Sequence, residues 1–428
     1  MSDRLAAVLA LAGLLLVAVA ASPRSSPGLV PRARARRSDV LQVDTAVRAR
    51  HESFHRTVRP WTYTALALGV AVPLAYGLTP LGAWLAGAVG TGPVPVRAAL
   101  GGLALGILAE ALTLPLALRR EVVLRRYGLS VRSWGNWLGD AAKSALIGAV
   151  LSAGALAALY ALLGSSPAWW WVVAAPGAAV LVAVLSFVLP VLVEPLFAKF
   201  VPMPDSPLRQ RLLELADRAG VPVRDVLVAD ASRRTTALNA YVSGFGPTRR
   251  IVVYDTLLRD APEGEVEVVV AHELGHAARH DVLRGTVLSA VGVAALCCVL
   301  HLVLSSPPLL RAAGVESGAD PRSVGLLFAV AATVGLVATP VQNMLSRRVE
   351  SRADTFALEL GGRPAVFAAM QRRLALVNIA DLDPGLVPYL LFASHPTTVQ
   401  RIAAAHVFAG GSPVRTPDRP REPGEASA

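Results

Sequence analysis

Long apolar runs separated by short arginine-rich stretches make up most of this chain. Seven runs approach or exceed the roughly 20 residues that a helix needs to cross a bilayer: 5–21, 62–78, 98–118, 144–163, 169–193, 287–304 and 324–344. The second is ragged, because 81–89 either extends it or lies in the interface. Trp61, Trp84 and Trp169 to Trp171 fall near segment ends, where amphipathic rings favour the membrane–water boundary. Between the fifth and sixth runs lies the one sizeable polar region, 196–284. There Ser206-Pro207 opens a helix that ends near Gly220, with proline in the first turn and glycine after the last. Residues 226–229 read as a strand. The stretches 237–242 and 250–254 flank Gly244-Phe245-Gly246-Pro247 and predict a hairpin. A further helix is expected from near Pro262 through His280. The pattern predicts a mostly α, polytopic membrane helical bundle of about seven spans, carrying a small α+β insertion. The expected organisation is 1–195 for spans one to five, 196–284 for the insertion, and 285–345 for spans six and seven. A helical part at 346–409 and a disordered tail at 410–428 complete it.

Composition strengthens the membrane reading. Of 428 residues, 54% are hydrophobic and 17% charged, with a mean hydropathy of +0.52, whereas soluble domains run near a quarter charged. The two cysteines, Cys297 and Cys298, are adjacent in an apolar run, which excludes a disulfide scaffold and a thiolate zinc site. Net charge is +11, and 39 of the 41 basic residues are arginine in a composition rich in Ala, Leu, Val and Gly. No aromatic platform or recognition motif accompanies them, so nucleic acid is not an expected partner.

The arginines do orient the chain. Loop 23–60 carries a net +6 and loop 119–143 a net +4, whereas 305–322 is neutral. By the positive-inside rule the basic loops, the insertion and the C-terminus face the cytoplasm. The first run has a competing reading: Arg4, its apolar stretch and Ala18-Val19-Ala20 resemble a cleavable secretory signal. Glu110 interrupts the third run, and an intramembrane acid faces either a wet cavity or a packing partner.

The informative pentapeptide is His272-Glu273-Leu274-Gly275-His276. Histidines at i and i+4 share one helical face and can reach one zinc ion, while Glu273 beside them can take a proton from water. His280 continues the ladder but stands about 12 Å from His272 along a helix, too far to share an ion; it reads as a surface or supporting group. Arg279 and Val282 occupy the places where a metzincin needs glycine and histidine, which excludes that class. A third ligand is better sought in Ser346-Arg347-Arg348-Val349-Glu350-Ser351-Arg352-Ala353-Asp354. On a helix, Glu350 and Asp354 share a face; Glu350 would complete a His2Glu site and Asp354 would anchor a ligand histidine. The alternative is a solvated charged helix below a membrane span.

With these residues in view the sequence resembles the type I CAAX prenyl proteases, integral-membrane zinc endopeptidases, from about residue 60 to Ala405. Arg126-Tyr127-Gly128-Leu129-Ser130 with Asp140 and Lys143 is similar to the family's cytoplasmic loop. Glu194-Pro195-Leu196-Phe197 matches the exit of the fifth span. Asn239-Ala240-Tyr241 with Gly244 and the run from Arg250 to Leu258 resembles its substrate hairpin. Asn343, Ser346-Arg347, Glu350 and Ala353-Asp354 match its third-ligand motif, and Ser394-His395-Pro396 with Arg401-Ile402 its late motif. The resemblance implies an enclosed intramembrane chamber and one zinc per chain on His272, His276 and Glu350. It implies Glu273 as general base, with His395 and Arg401 lining the site, where a donor steadies the tetrahedral oxyanion. Asn239 and Ala240 would hold substrate. The first span and its following loop match loosely, the linker between spans six and seven is short, and the composition looks bacterial, so the substrate is a peptide or membrane protein whose prenylation stays open. Two other readings are an HtpX-like quality-control protease, which shares the pentapeptide but has about four spans, and a membrane transporter. The latter would spread polar residues over several spans, where only Glu110 and His301 stand out.

Overall fold

The computed structural model describes residues 3–21 and 44–410. Most of the basic 23–60 loop and the tail from 411 lie outside the described residues. The apolar runs are helices: α1 (Asp3–Ala21), α2 (Thr45–Leu78), α3 (Pro80–Gly87), α4 (Val94–Arg126), α5 (Trp134–Ser165) and α6 (Trp170–Phe197). A mixed unit follows, with β1 (Phe200–Pro202), α7 (Pro207–Arg218), β2 (Asp225–Ala229), β3 (Ala240–Ser243), β4 (Arg250–Tyr254), α8 (Asp255–Asp260) and α9 (Glu263–Ala278). The chain then returns through α10 (Asp281–Leu304), α11 (Pro307–Ala312) and α12 (Val324–Gly361), and ends in α13 (Pro364–Val377), α14 (Leu386–Phe392) and α15 (Thr398–Phe408).

Among the described residues six helices are long and apolar enough to cross a membrane: α2, α4, α5, α6, α10 and the helix containing α12. Their apolar side chains stay outside, as Leu146 (66% exposed), Val180 (63%) and Leu192 (63%) illustrate. Water would penalise such a skin, whereas hydrocarbon does not. The first expected span is helical as α1 and packs along α10, with Asp3 3.5 Å from the fully buried His301 and Arg4 bonded to the Ser305 carbonyl. Inside, α2 and α12 cross on small residues: a Cβ at Gly77 would lie 2.8 Å from the Gly325 carbonyl oxygen. Glu110 is exposed on α4, so it is not held in a packing interface.

The polar insertion folds on a four-stranded sheet of order β1-β2-β4-β3, in which β2 and β4 are parallel and the outer pairs antiparallel. The expected hairpin is β3–β4. Strand β1 was not expected, being three residues long and ending in proline. Ser206 caps α7 by accepting from the Arg209 N–H, and Gly220 ends it with φ +66. The expected helix from Pro262 to His280 is shorter, because His280 turns left-handed at φ +54 and starts a new helix at Asp281. On α9, Val266, Val270 and Leu274 recur every fourth residue and are buried in the core with Val226, Ile251 and Phe367. That stripe pins α9 against the sheet and turns its histidine face toward α12.

A candidate metal centre between two cavities

His272 and His276 place their Nε2 atoms 3.3 Å apart. Glu350 comes from α12, a single helix that leaves the apolar bundle and continues into the polar unit; its Oε2 is 3.2 Å from His272 Nε2 and its Oε1 3.6 Å from His276 Nε2. Ligands about 2.1 Å from a tetrahedral zinc lie about 3.4 Å apart, so three such spacings fit one ion. The chemistry of the donors agrees: Glu350 is 8% exposed, and its Oε2 is a buried acceptor with no hydrogen bond. Burial pushes the His272 imidazole down, but Asp354 and Glu350 outweigh it and raise it to about 9. A cation held by these groups would take the place of that proton.

Each imidazole is oriented by its own carboxylate. Asp354 Oδ1 is 2.9 Å from His272 Nδ1, and Arg401 Nε donates to Asp354 Oδ2 at 2.8 Å. Burial works against the Arg401 charge, and Asp354 more than restores it. On the other side Asp281 Oδ2 is 3.1 Å from His276 Nδ1, and Arg352 Nη2 donates to Asp281 Oδ1 at 3.0 Å. Sequence reading singled out Asp354 but missed Asp281. The only signal was its spacing of five from His276, and that spacing works only because the chain turns left-handed at His280. His280 itself is exposed and lines the larger cavity without joining the group of three ligand atoms.

Glu273 lies between two cavities. One, of about 610 Å³, runs from Glu273, His276 and Glu350 along α6 past Phe187 and Val191. The other, of about 350 Å³, lies between Glu273, His395 and α13. Burial pushes the Glu273 carboxyl above its ordinary range, against the pull of the two histidines. His395 Nε2 is 3.3 Å from Glu350 Oε2 on a half-exposed side chain, whereas Arg401 is tied to Asp354 behind His272. Both late-motif residues line the smaller cavity, His395 beside Glu350 and Arg401 beside Asp354 and His272 Nδ1.

Strand β3 is the free sheet edge. Tyr254 N–H bonds the Asn239 carbonyl at 3.0 Å, so in the antiparallel register Ala240 and Val242 turn their N–H and C=O groups outward. Asn239 is exposed, and its Oδ1 accepts from the Ala240 N–H at 3.0 Å.

The pentapeptide pattern occurs a second time, unremarked in the sequence reading, as His51-Glu52-Ser53-Phe54-His55 on α2. Among the described residues no third ligand converges here. His51 Nδ1 is 2.9 Å from the Ala380 carbonyl oxygen and His55 Nε2 2.9 Å from that of Ile379, a β-branched residue at φ +46. The two rings clamp a strained turn that also walls the smaller cavity through Asn378 and Ala380.

Comparison with known proteins agrees with this architecture. Residues 202–408 match Peptidase family M48, and residues 50–199 match the CAAX prenyl protease N-terminal family of five membrane helices. An uncharacterized metalloprotease, YhfN of Bacillus subtilis, is 32% identical over 52% of this chain and 52% of its own. A CAAX prenyl protease 1 homolog of Arabidopsis thaliana is 31% identical over 68% of this chain and 69% of its own. The chain thus spans about half the length of the first of these relatives and about two thirds of the second. The crystal structure of S. mikatae Ste24p superimposes with a TM-score of 0.74 at 19% identity, covering 95% of this chain and 99% of that one. It shares the fold. The chain is a multi-pass membrane protein that belongs to peptidase family M48, among the type I CAAX prenyl proteases.

Proposed function

We propose that this protein is an integral-membrane zinc endopeptidase, with His272, His276 and Glu350 as the metal ligands. The observation that carries the reading is the convergence of those three side chains on one point, with Glu350 Oε2 otherwise orphaned. Zinc, when bound, supplies a Lewis acid that polarises a peptide carbonyl and acidifies water. Glu273 accepts the proton of the attacking water and returns it to the leaving amine, a task suited to a carboxyl raised by burial. His395, half-exposed beside Glu350, donates to the oxyanion as it forms. Asp354, held by Arg401, fixes the His272 ring and its tautomer. Substrate adds to the outward edge of β3, where Val242 offers main-chain groups and the small Ala240, whose N–H would pass from Asn239 Oδ1 to the substrate, permits close approach; Asn239 bonds the substrate backbone from the same edge. The arginine-rich loops support a cytoplasmic active site, the composition a bacterial membrane, and the cavity that runs from Glu273 along α6 a water-filled chamber. The relatives named CAAX prenyl proteases support C-terminal processing of peptide or membrane-protein substrates.

Metal analysis tests the reading. Purified protein should hold one zinc per chain, and Glu350→Ala should hold none while its helices remain folded by circular dichroism. A parent protein without zinc after purification from zinc-supplemented cells contradicts it.

A further inference from the structure

The smaller cavity beside Glu273 contains a polar group that hydrolysis does not use. Gln371, on α13, is 3% exposed, and among the described residues no hydrogen bond engages its carboxamide; Nε2 is buried without a partner. A buried amide with nothing to bond is costly, and native structures keep few. Of the polar residues that line the same cavity, Asn378 uses its Oδ1 to accept from the Leu238 N–H at 3.2 Å, and Arg401 is paired with Asp354. The cavity beside Gln371 is about 350 Å³, with Met370 and Leu374 as apolar walls and Glu273 and His395 also lining it. At about 30 Å³ per water it has room for roughly eleven waters, more than the five heavy atoms of a glutamine side chain need.

We propose that this cavity is a side-chain subsite next to the scissile bond, and that Gln371 gives it a preference for a substrate asparagine or glutamine. The proposal rests on the endopeptidase reading above. A substrate carboxamide can donate an N–H to the Gln371 carboxamide oxygen, the end of that side chain that is not sealed off from the cavity. Met370 and Leu374 pack its methylene stem. A carboxylate fits less well, because it brings another negative charge beside Glu273 and Glu350 while Arg401 is already neutralised. A plain aliphatic side chain would fill the space and leave the amide unpaired, and a site built to bond a polar group discriminates against such analogues.

The test uses the full-length protein in detergent, zinc-loaded, with a peptide library randomised on both sides of a central position and cleavage sites read by mass spectrometry. Parent protein, Gln371→Leu and Gln371→Met are compared, the last two close in volume to glutamine. The parent should favour Gln or Asn over Leu by roughly tenfold at one position flanking the cut, the size of one well-made hydrogen bond. Both variants should reverse that choice toward Leu or Met, with zinc content and preferences at other positions unchanged. A parent profile with no amide preference at any position overturns the subsite, whether or not the variants fold; so does a variant profile identical to the parent's. A zinc-loaded parent that cuts no library member contradicts the endopeptidase reading itself, and the subsite with it.

Discussion

Asp281 Oδ2 lies 3.1 Å from Nδ1 of His276, so the second metal-facing imidazole has a carboxylate of its own, matching Asp354 at His272. Such partners fix ring orientation and raise ligand basicity, and losing one costs about 10- to 100-fold in metal affinity. Asp281→Asn keeps the shape and a contact for Arg352 but removes the charge. Its zinc affinity, measured by competition with a chelating dye, should fall by about tenfold or more, and excess zinc should restore cleavage. An unchanged affinity would show that Asp281 only joins α9 to α10.

The histidines of the second pentapeptide donate to backbone carbonyls rather than hold a metal. His51→Leu with His55→Leu should free the 378–381 turn, raising KM by roughly tenfold for two lost bonds of about 0.5–1.5 kcal/mol each. Zinc content should stay at the parental level. His51→Asn and His55→Gln place an amide donor near Nδ1 and Nε2, respectively, and should bring KM back. If the leucine pair leaves KM and amide exchange at 378–383 unaltered, the clamp does not shape the cleft.

Because the Ala240 N–H points away from β4, Ala240→Pro removes an outward donor without breaking the ladder. Cleavage should drop about tenfold while zinc binding is kept. Normal cleavage by a folded, zinc-loaded variant would rule out strand addition at this edge.

Topology is open to thiol labelling, since Cys297 and Cys298 are buried. Gly318 is a poor site for a probe, as its Cβ would lie 2.7 Å from the Leu304 carbonyl oxygen. Glu316→Cys, on the exposed neutral loop, should react with an impermeant reagent in intact cells, and Arg233→Cys in the polar unit should not. The opposite pattern would turn the active site to the outside.

Much of this was legible in the sequence because it depends on local periodicity. The apolar runs, the Ser206 cap, the Gly244–Pro247 turn and the i, i+4 histidines each follow from spacing alone. Glu350 was reachable because one continuous helix carries both a span and an acidic pair. What escaped depends on chain reversals. Asp281 faces His276 only through the left-handed His280, and β1 is too short to show alternation. The pair His51 and His55 carries the same pattern as the metal ligands, yet it meets carbonyls of a turn more than 320 residues away instead of a third ligand. A pentapeptide specifies a helix face, and tertiary contacts decide what that face meets. Gln371 gave no sequence signal at all, since one glutamine between Met370 and Arg372-Arg373 looks like any partly buried helix position.

The central claim is that Glu273 handles the proton while His272, His276 and Glu350 hold the metal. The most direct measurement is the cleavage rate of zinc-loaded Glu273→Gln beside the parent, with zinc per chain determined on the same samples. The account predicts equal zinc and a rate lower by about 10²- to 10⁴-fold, the usual contribution of general acid–base catalysis. A Glu273→Gln protein that carries zinc and cuts at the parental rate would contradict it.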